Sequence, residues 1–145
     1  MGFYKRFIVI LMLLSALLSA CSNGEKTATT EPKYTPIPQT AIQSTIDDIK
    51  NRKNIKDASF EVNGDKIEMK LVVDGVSFTD KNTARDYADS YLRTISNYVD
   101  GSKPTKYYYG EVYDGYYVHI VVEDPQGMQA VEGNLYPGFE NITWQ

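Results

Sequence analysis

Between residues 40 and 123, apolar positions recur first at helical and then at strand spacing, and the sequence of periods is repeated. Ile42, Ile46 and Ile49 fall four and three apart, which predicts a short amphipathic helix over 40–52. Ala58, Phe60 and Val62 then alternate with Ser59 and Glu61, and Ile67, Met69, Leu71 and Val73 alternate with Glu68 and Lys70. Asn63-Gly64 lies between the two runs, so they read as a hairpin with a tight turn. The longest helical stripe is Ala84, Tyr87, Ala88, Tyr91, Leu92, Ile95, Tyr98 and Val99. Thr79 or Asp80 is placed to cap it, and Gly101 and Pro104 to stop it just after Asp100. Arg85, Asp89 and Arg93 stand four apart on its polar side and are expected to pair. A second hairpin is expected from 106–113 and 116–123, joined by Asp114-Gly115.

The order helix, hairpin, helix, hairpin predicts an α+β fold: a mostly antiparallel four-stranded sheet with the helices packed on one face. The repeated order suggests an internal duplication, although few identities align. Beyond Pro125 the periodicity weakens. Met128 to Val131 and Ile142 to Trp144 are each expected to add an edge strand or fold over the sheet, and Asn134-Leu135-Tyr136-Pro137-Gly138 reads as a loop. Trp144, the only tryptophan, is expected to plug an open core edge. Residues 22–38 are rich in Ser, Thr, Pro, Lys and Glu, with Tyr34 and Ile37 as the only large apolar side chains, and read as a flexible tether. The expected folded domain is therefore 39–125, with 126–145 an extension packed on it or added to it.

The first twenty residues carry a different pattern. Lys5 and Arg6 precede an apolar run over 7–18 that only Ser15 interrupts, and the small residues Ser19 and Ala20 follow, the order of a secretory signal peptide. As a helix, 7–20 would reach only about 21 Å, short of a hydrocarbon core of about 30 Å. Leu18-Ser19-Ala20-Cys21 resembles the lipobox of bacterial lipoproteins. That resemblance implies alkylation of the Cys21 sulfur by diacylglycerol, cleavage immediately before Cys21, and a domain held at the cell membrane facing away from the cytoplasm. Cys21 is the only cysteine, so an intramolecular disulfide is excluded, and acylation would consume a thiol that an oxidising compartment leaves exposed to reaction.

Charge and chemistry narrow the function classes. The whole chain has 15 basic and 19 acidic residues; loss of residues 1–20 removes two basic residues and no acids, giving a net charge of −6. Such a chain repels nucleic acid on average. His119 is the only histidine, so a Cys/His nucleophile pair and a multi-histidine metal site are excluded. Glu123 lies on the same strand face as His119, but about 13 Å away at 3.3 Å per residue. No calcium loop, phosphate-binding glycine loop or nucleophile elbow is present. No catalytic residue, metal or cofactor is expected.

Tyrosine is the regional anomaly: Tyr107, Tyr108, Tyr109, Tyr113, Tyr116 and Tyr117 crowd one segment. Alternation would place Tyr108, Tyr113 and Tyr117 among the rings open to a partner, either an envelope protein or a cell-wall glycan. Cross-strand ring pairing is the plainer account of the same residues. In outline, the helix, hairpin and helix order is similar to small lipoprotein domains of BON-like or YhcN/YlaJ-like kind, a likeness of pattern that implies no site residues. The expected function is that of a non-enzymatic binding module whose bilayer partner is reached through Cys21. The alternatives are an exclusion or immunity lipoprotein of a mobile element and, behind it, a cell-envelope hydrolase using carboxylates.

Overall fold

The first helix, α1 (Gln39–Lys50), begins directly after Pro38, whose extended backbone turns its carbonyl toward the Ala41 and Ile42 amides at 3.0 and 3.2 Å. The structure is a computed structural model that describes residues 33–76 and 79–145. The signal segment, Cys21 and the first part of the expected tether lie outside those residues. Ala41, Ile42 and Ile49 bury the apolar face of α1, and the buried Thr45 hydroxyl is satisfied by donating to the Ala41 carbonyl at 2.7 Å.

Strands β1 (Ile55–Asn63) and β2 (Lys66–Val73) form the expected hairpin. Their turn is Gly64-Asp65, one residue later than the sequence suggested, with Asn63 paired to Lys66. Only the first turn residue has positive φ (Gly64, 64°), the pattern of a type II′ turn. Helix α2 (Lys81–Thr94) is capped by Asp80, whose Oδ1 accepts from the Thr83 amide at 3.2 Å. It stops as an α-helix before the expected Asp100 and tightens into a 3₁₀ turn at Ile95–Asn97. That tightening takes Tyr98 off the apolar stripe; it is 41% exposed and donates its hydroxyl to Asp48 at 3.2 Å.

Strands β3 (Tyr117–Glu123), β4 (Gln129–Leu135) and β5 (Thr143–Trp144) complete the sheet. The five strands lie in the order β1-β2-β3-β4-β5, with β2 and β3 parallel and every other neighbour antiparallel. The fold is α+β, but the expected four-stranded, mostly antiparallel sheet is corrected to a five-stranded mixed one. α2 and the segment after it form the crossover that a parallel β2/β3 pair requires.

The expected second hairpin does not form. Residues 106–116 fold as an irregular segment with a 3₁₀ turn at Glu111–Tyr113, and β3 pairs instead with β4. Burial explains the difference: Tyr109, Val112, Tyr113 and Tyr116 are all buried, a spacing that no two-residue period satisfies. Backbone polarity is met from α2, where the Arg93 guanidinium donates to the Thr105 and Lys106 carbonyls. The C-terminal residues are thus integral strands of the sheet.

One sheet face is the core. Ile67, Leu71, Val73, Val118, Ile120 and Val122 are fully buried there, and the Phe60 ring meets Tyr91 of α2 edge-on at 6.3 Å. The N-terminal boundary also moves. The Tyr34 ring lies 4.5 Å from Tyr116, Ile37 packs on the core, and the Tyr116 hydroxyl donates to the Thr35 carbonyl at 3.1 Å. Residues 33–38, expected to be tether, belong to a compact unit spanning Pro32–Gln145.

Candidate functional site

β4 ends at Leu135 in the turn Tyr136-Pro137-Gly138-Phe139, closed by a 3.0 Å hydrogen bond from the Phe139 amide to the Tyr136 carbonyl. Proline at the second position and Gly138 at φ 82° at the third are the residues a type II turn demands. The turn sets the Tyr136 and Phe139 rings 6.2 Å apart at 68°, and the two side chains are 45% and 68% exposed. Facing them is the irregular segment after α2. Tyr108, Tyr109, Tyr113 and Asp114, with Leu135, Tyr136, Phe139 and Glu140, line a cleft of about 310 Å³.

The candidate tyrosines stand in three different relations to it, and Tyr117 does not line it. The half-buried Tyr108 lines the cleft and donates its hydroxyl to Asp114 Oδ1 at 2.7 Å. Burial, that hydrogen bond and the nearby carboxylates all push its pKa up, so the phenol stays a donor at neutral pH. Tyr113 is 4% exposed and donates at 2.8 Å to the Leu92 carbonyl inside the core, which corrects its expected place on an open sheet face. It contributes floor rather than contact surface. Tyr117 is half-buried, donates to Asn134 at 2.5 Å, and braces Tyr136 through an edge contact at 5.5 Å. Tyr136, Phe139 and Glu140 were not singled out in the sequence. Two aromatics flanking Pro-Gly was the available signal, because a type II turn leaves its first and last side chains at the surface together.

No known protein family, curated protein or solved structure matches the chain. The reading of the site therefore rests on its geometry and chemistry.

The second polar constellation lies on the open face of the sheet. The β2/β3 register sets Glu68 opposite His119, and Glu68 Oε2 lies 2.6 Å from Nδ1 while Glu132 of β4 reaches Nε2 at 3.1 Å. Ionised carboxylates only accept, so both bonds form together when both ring nitrogens carry protons. Burial acts to lower the imidazole pKa, but the two hydrogen bonds outweigh it and the net shift is upward. Glu123, the same-strand acid that sequence spacing set too far from His119, pairs instead with Lys70 of β2 at 2.5 Å. Among the described residues no group of three or more His, Cys, Asp or Glu side chains is arranged to hold a metal ion.

The expected pairing along α2 is half realised. Arg93 meets Asp89 at 2.8 Å, whereas the Arg85 guanidinium lies 5.8 Å over the Trp144 ring and ties β5 to the helix. Trp144, expected as a plug, is a residue of the edge strand β5 and packs, partly buried, against the core.

Proposed function

We propose that this chain is a lipid-anchored, extracytoplasmic binding module, held at the cell membrane through Cys21 and engaging a partner at the aromatic cleft. The observation that supports binding is the exposure of Phe139 and Tyr136 side by side, 68% and 45%, on a turn whose backbone fixes them at the cleft mouth. Rings held this way lose little conformational entropy when a partner covers them, which is why aromatic side chains concentrate at contact surfaces. The cleft is at the small end of ligand-binding volumes, so it suits one side chain or ring of a larger partner. The anchor rests on the Lys5-Arg6 start, the short apolar run and Leu18-Ser19-Ala20-Cys21.

Two measurements test this reading in cells. Metabolic labelling with a fatty-acid probe is expected to mark the protein and to lose the mark in Cys21→Ala, with release from the membrane fraction. A photo-crosslinking residue at position 139 is expected to give a discrete adduct that Tyr136→Ala removes while leaving the melting temperature within a few degrees. Absence of any adduct from position 139 would count against binding at this cleft.

A further inference from the structure

We infer that the cleft takes the guanidinium of an arginine side chain presented by a partner polypeptide. The inference rests on the binding role proposed above and names its ligand class. Asp114 and Glu140 are the charged groups lining the cleft, and both are acidic. Asp114 accepts from Tyr108 through Oδ1, leaving Oδ2 free of any hydrogen bond among the described residues. Glu140 is exposed and has no hydrogen-bond or ion-pair partner among the described residues. Tyr136 and Phe139 line the same cleft and are exposed, and the faces of aromatic rings carry the negative end of their quadrupole. The cleft therefore combines two sources of attraction for a cation.

The protein already combines a guanidinium, a ring and a carboxylate at one residue that the cleft shares. Arg93 lies 4.7 Å over the Tyr109 ring while bonding Asp89 at 2.8 Å, and Tyr109 also lines the cleft. Arg93 is thereby committed, and the nearby Lys106 ammonium lies over Tyr107 at 5.1 Å. Guanidinium fits better than ammonium because it is planar, stacks on rings, sheds water readily and forks onto a carboxylate. A neutral sugar would stack on the same rings but leave the negative potential of two carboxylates uncompensated. The net charge of −6 left after loss of residues 1–20 favours a basic partner over an acidic one.

The test uses the full chain in lipid nanodiscs with isotope-labelled Tyr and Phe rings. The probes are three capped pentapeptides, identical except for a central arginine, lysine or citrulline, and chitotriose as a neutral sugar. The arginine peptide is expected to shift the Tyr136 and Phe139 signals saturably. Citrulline, the same shape without charge, is expected to bind roughly fivefold more weakly or worse. Glu140→Gln is expected to weaken the arginine peptide and leave citrulline unchanged, with the rest of the spectrum intact. Equal binding of arginine and citrulline, or no effect of Glu140→Gln, overturns the cationic assignment, and lysine binding as tightly as arginine overturns the guanidinium one. Saturation of the same rings by chitotriose alone overturns it too, yet leaves the binding role standing. If no probe moves the rings the ligand class falls, and if position 139 also gives no cellular adduct the binding role falls with it.

Discussion

His119 takes its partners from two neighbouring strands, and that arrangement dictates a pH window for stability. Its pKa is raised above the ordinary 6.5, so its contribution is full below that value and is lost as pH rises through the folded-state value. Glu132 is displaced the other way: hydrogen bonds from Gln129 and His119 lower it from 4.5, so its contribution is present above 4.5 and is lost on acidification. The cluster therefore stabilises most between 4.5 and 6.5. The melting-temperature advantage of the native chain over His119→Gln is expected to be largest near pH 5.5 and to shrink by about pH 9. An advantage that stays constant across that range would show the ion pairs to be inert. Glu68 is 51 positions from His119, and strand periodicity states which face a residue takes but not which strand lies alongside. Tyr113 failed to be legible for a related reason, since its burial depends on Leu92 of a helix 21 positions away. Removing that buried hydroxyl with Tyr113→Phe is expected to cost about 1 kcal/mol in chemical denaturation. A change below a few tenths would mean that the hydrogen bond adds nothing net.

At the level of elements, α1, β1, β2 and α2 were legible to within a few residues because each buries one face, and the period of that face is written in its own sequence. In the second half β3 was legible, expected at 116–123 and found at Tyr117–Glu123, but its pairing partners were not. Asp114-Gly115 carries the residues of a hairpin turn, but Gly115 serves a close approach. A Cβ there would lie 2.2 Å from the Lys33 carbonyl oxygen, so the N-terminal segment occupies the space a side chain would need. β4 was obscured because its sequence, QAVEGNL, places Ala130 and Val131 in succession and has Gly133 where an apolar residue would mark the period. Gly133 has its own reason: a Cβ would meet Ile142 and the Trp144 ring at 2.6 Å. Gly133→Ala is expected to displace β5 rather than β4, because β5 is a two-residue edge and the easier to move. The expected signature is a red shift of the single tryptophan's emission with a loss of roughly 1–3 kcal/mol. An unshifted emission at unchanged stability would mean that the edge absorbs the methyl without moving.

For the molecule as a whole, the consequential boundary is the N-terminal one, because composition alone assigns residues 33–38 to a tether. Pro36 and Pro38 and the polar residues around them look unable to bury surface, yet Tyr34 and Ile37 do so by lying on a core built by residues 80 positions later. A chain starting at Lys33 and one starting at Gln39 separate the two views. The shorter chain loses the Tyr34 ring contact with Tyr116, the Ile37 packing and the hydrogen bond to the Thr35 carbonyl. Ring pairing at about 0.5–1.5 kcal/mol, partial burial of Ile37 and one hydrogen bond near 1 kcal/mol together predict a deficit of roughly 2–4 kcal/mol in urea. Equal midpoints would restore the tether to its compositional length. The deficit should also reach the cleft: Gly115 lies against the Lys33 carbonyl, and the adjacent Asp114 holds the Tyr108 hydroxyl. Chains lacking 33–38 are therefore expected to show broadened Tyr108 signals while the open-face signal of His119 is unchanged, which separates loss of this contact from general loosening of the sheet.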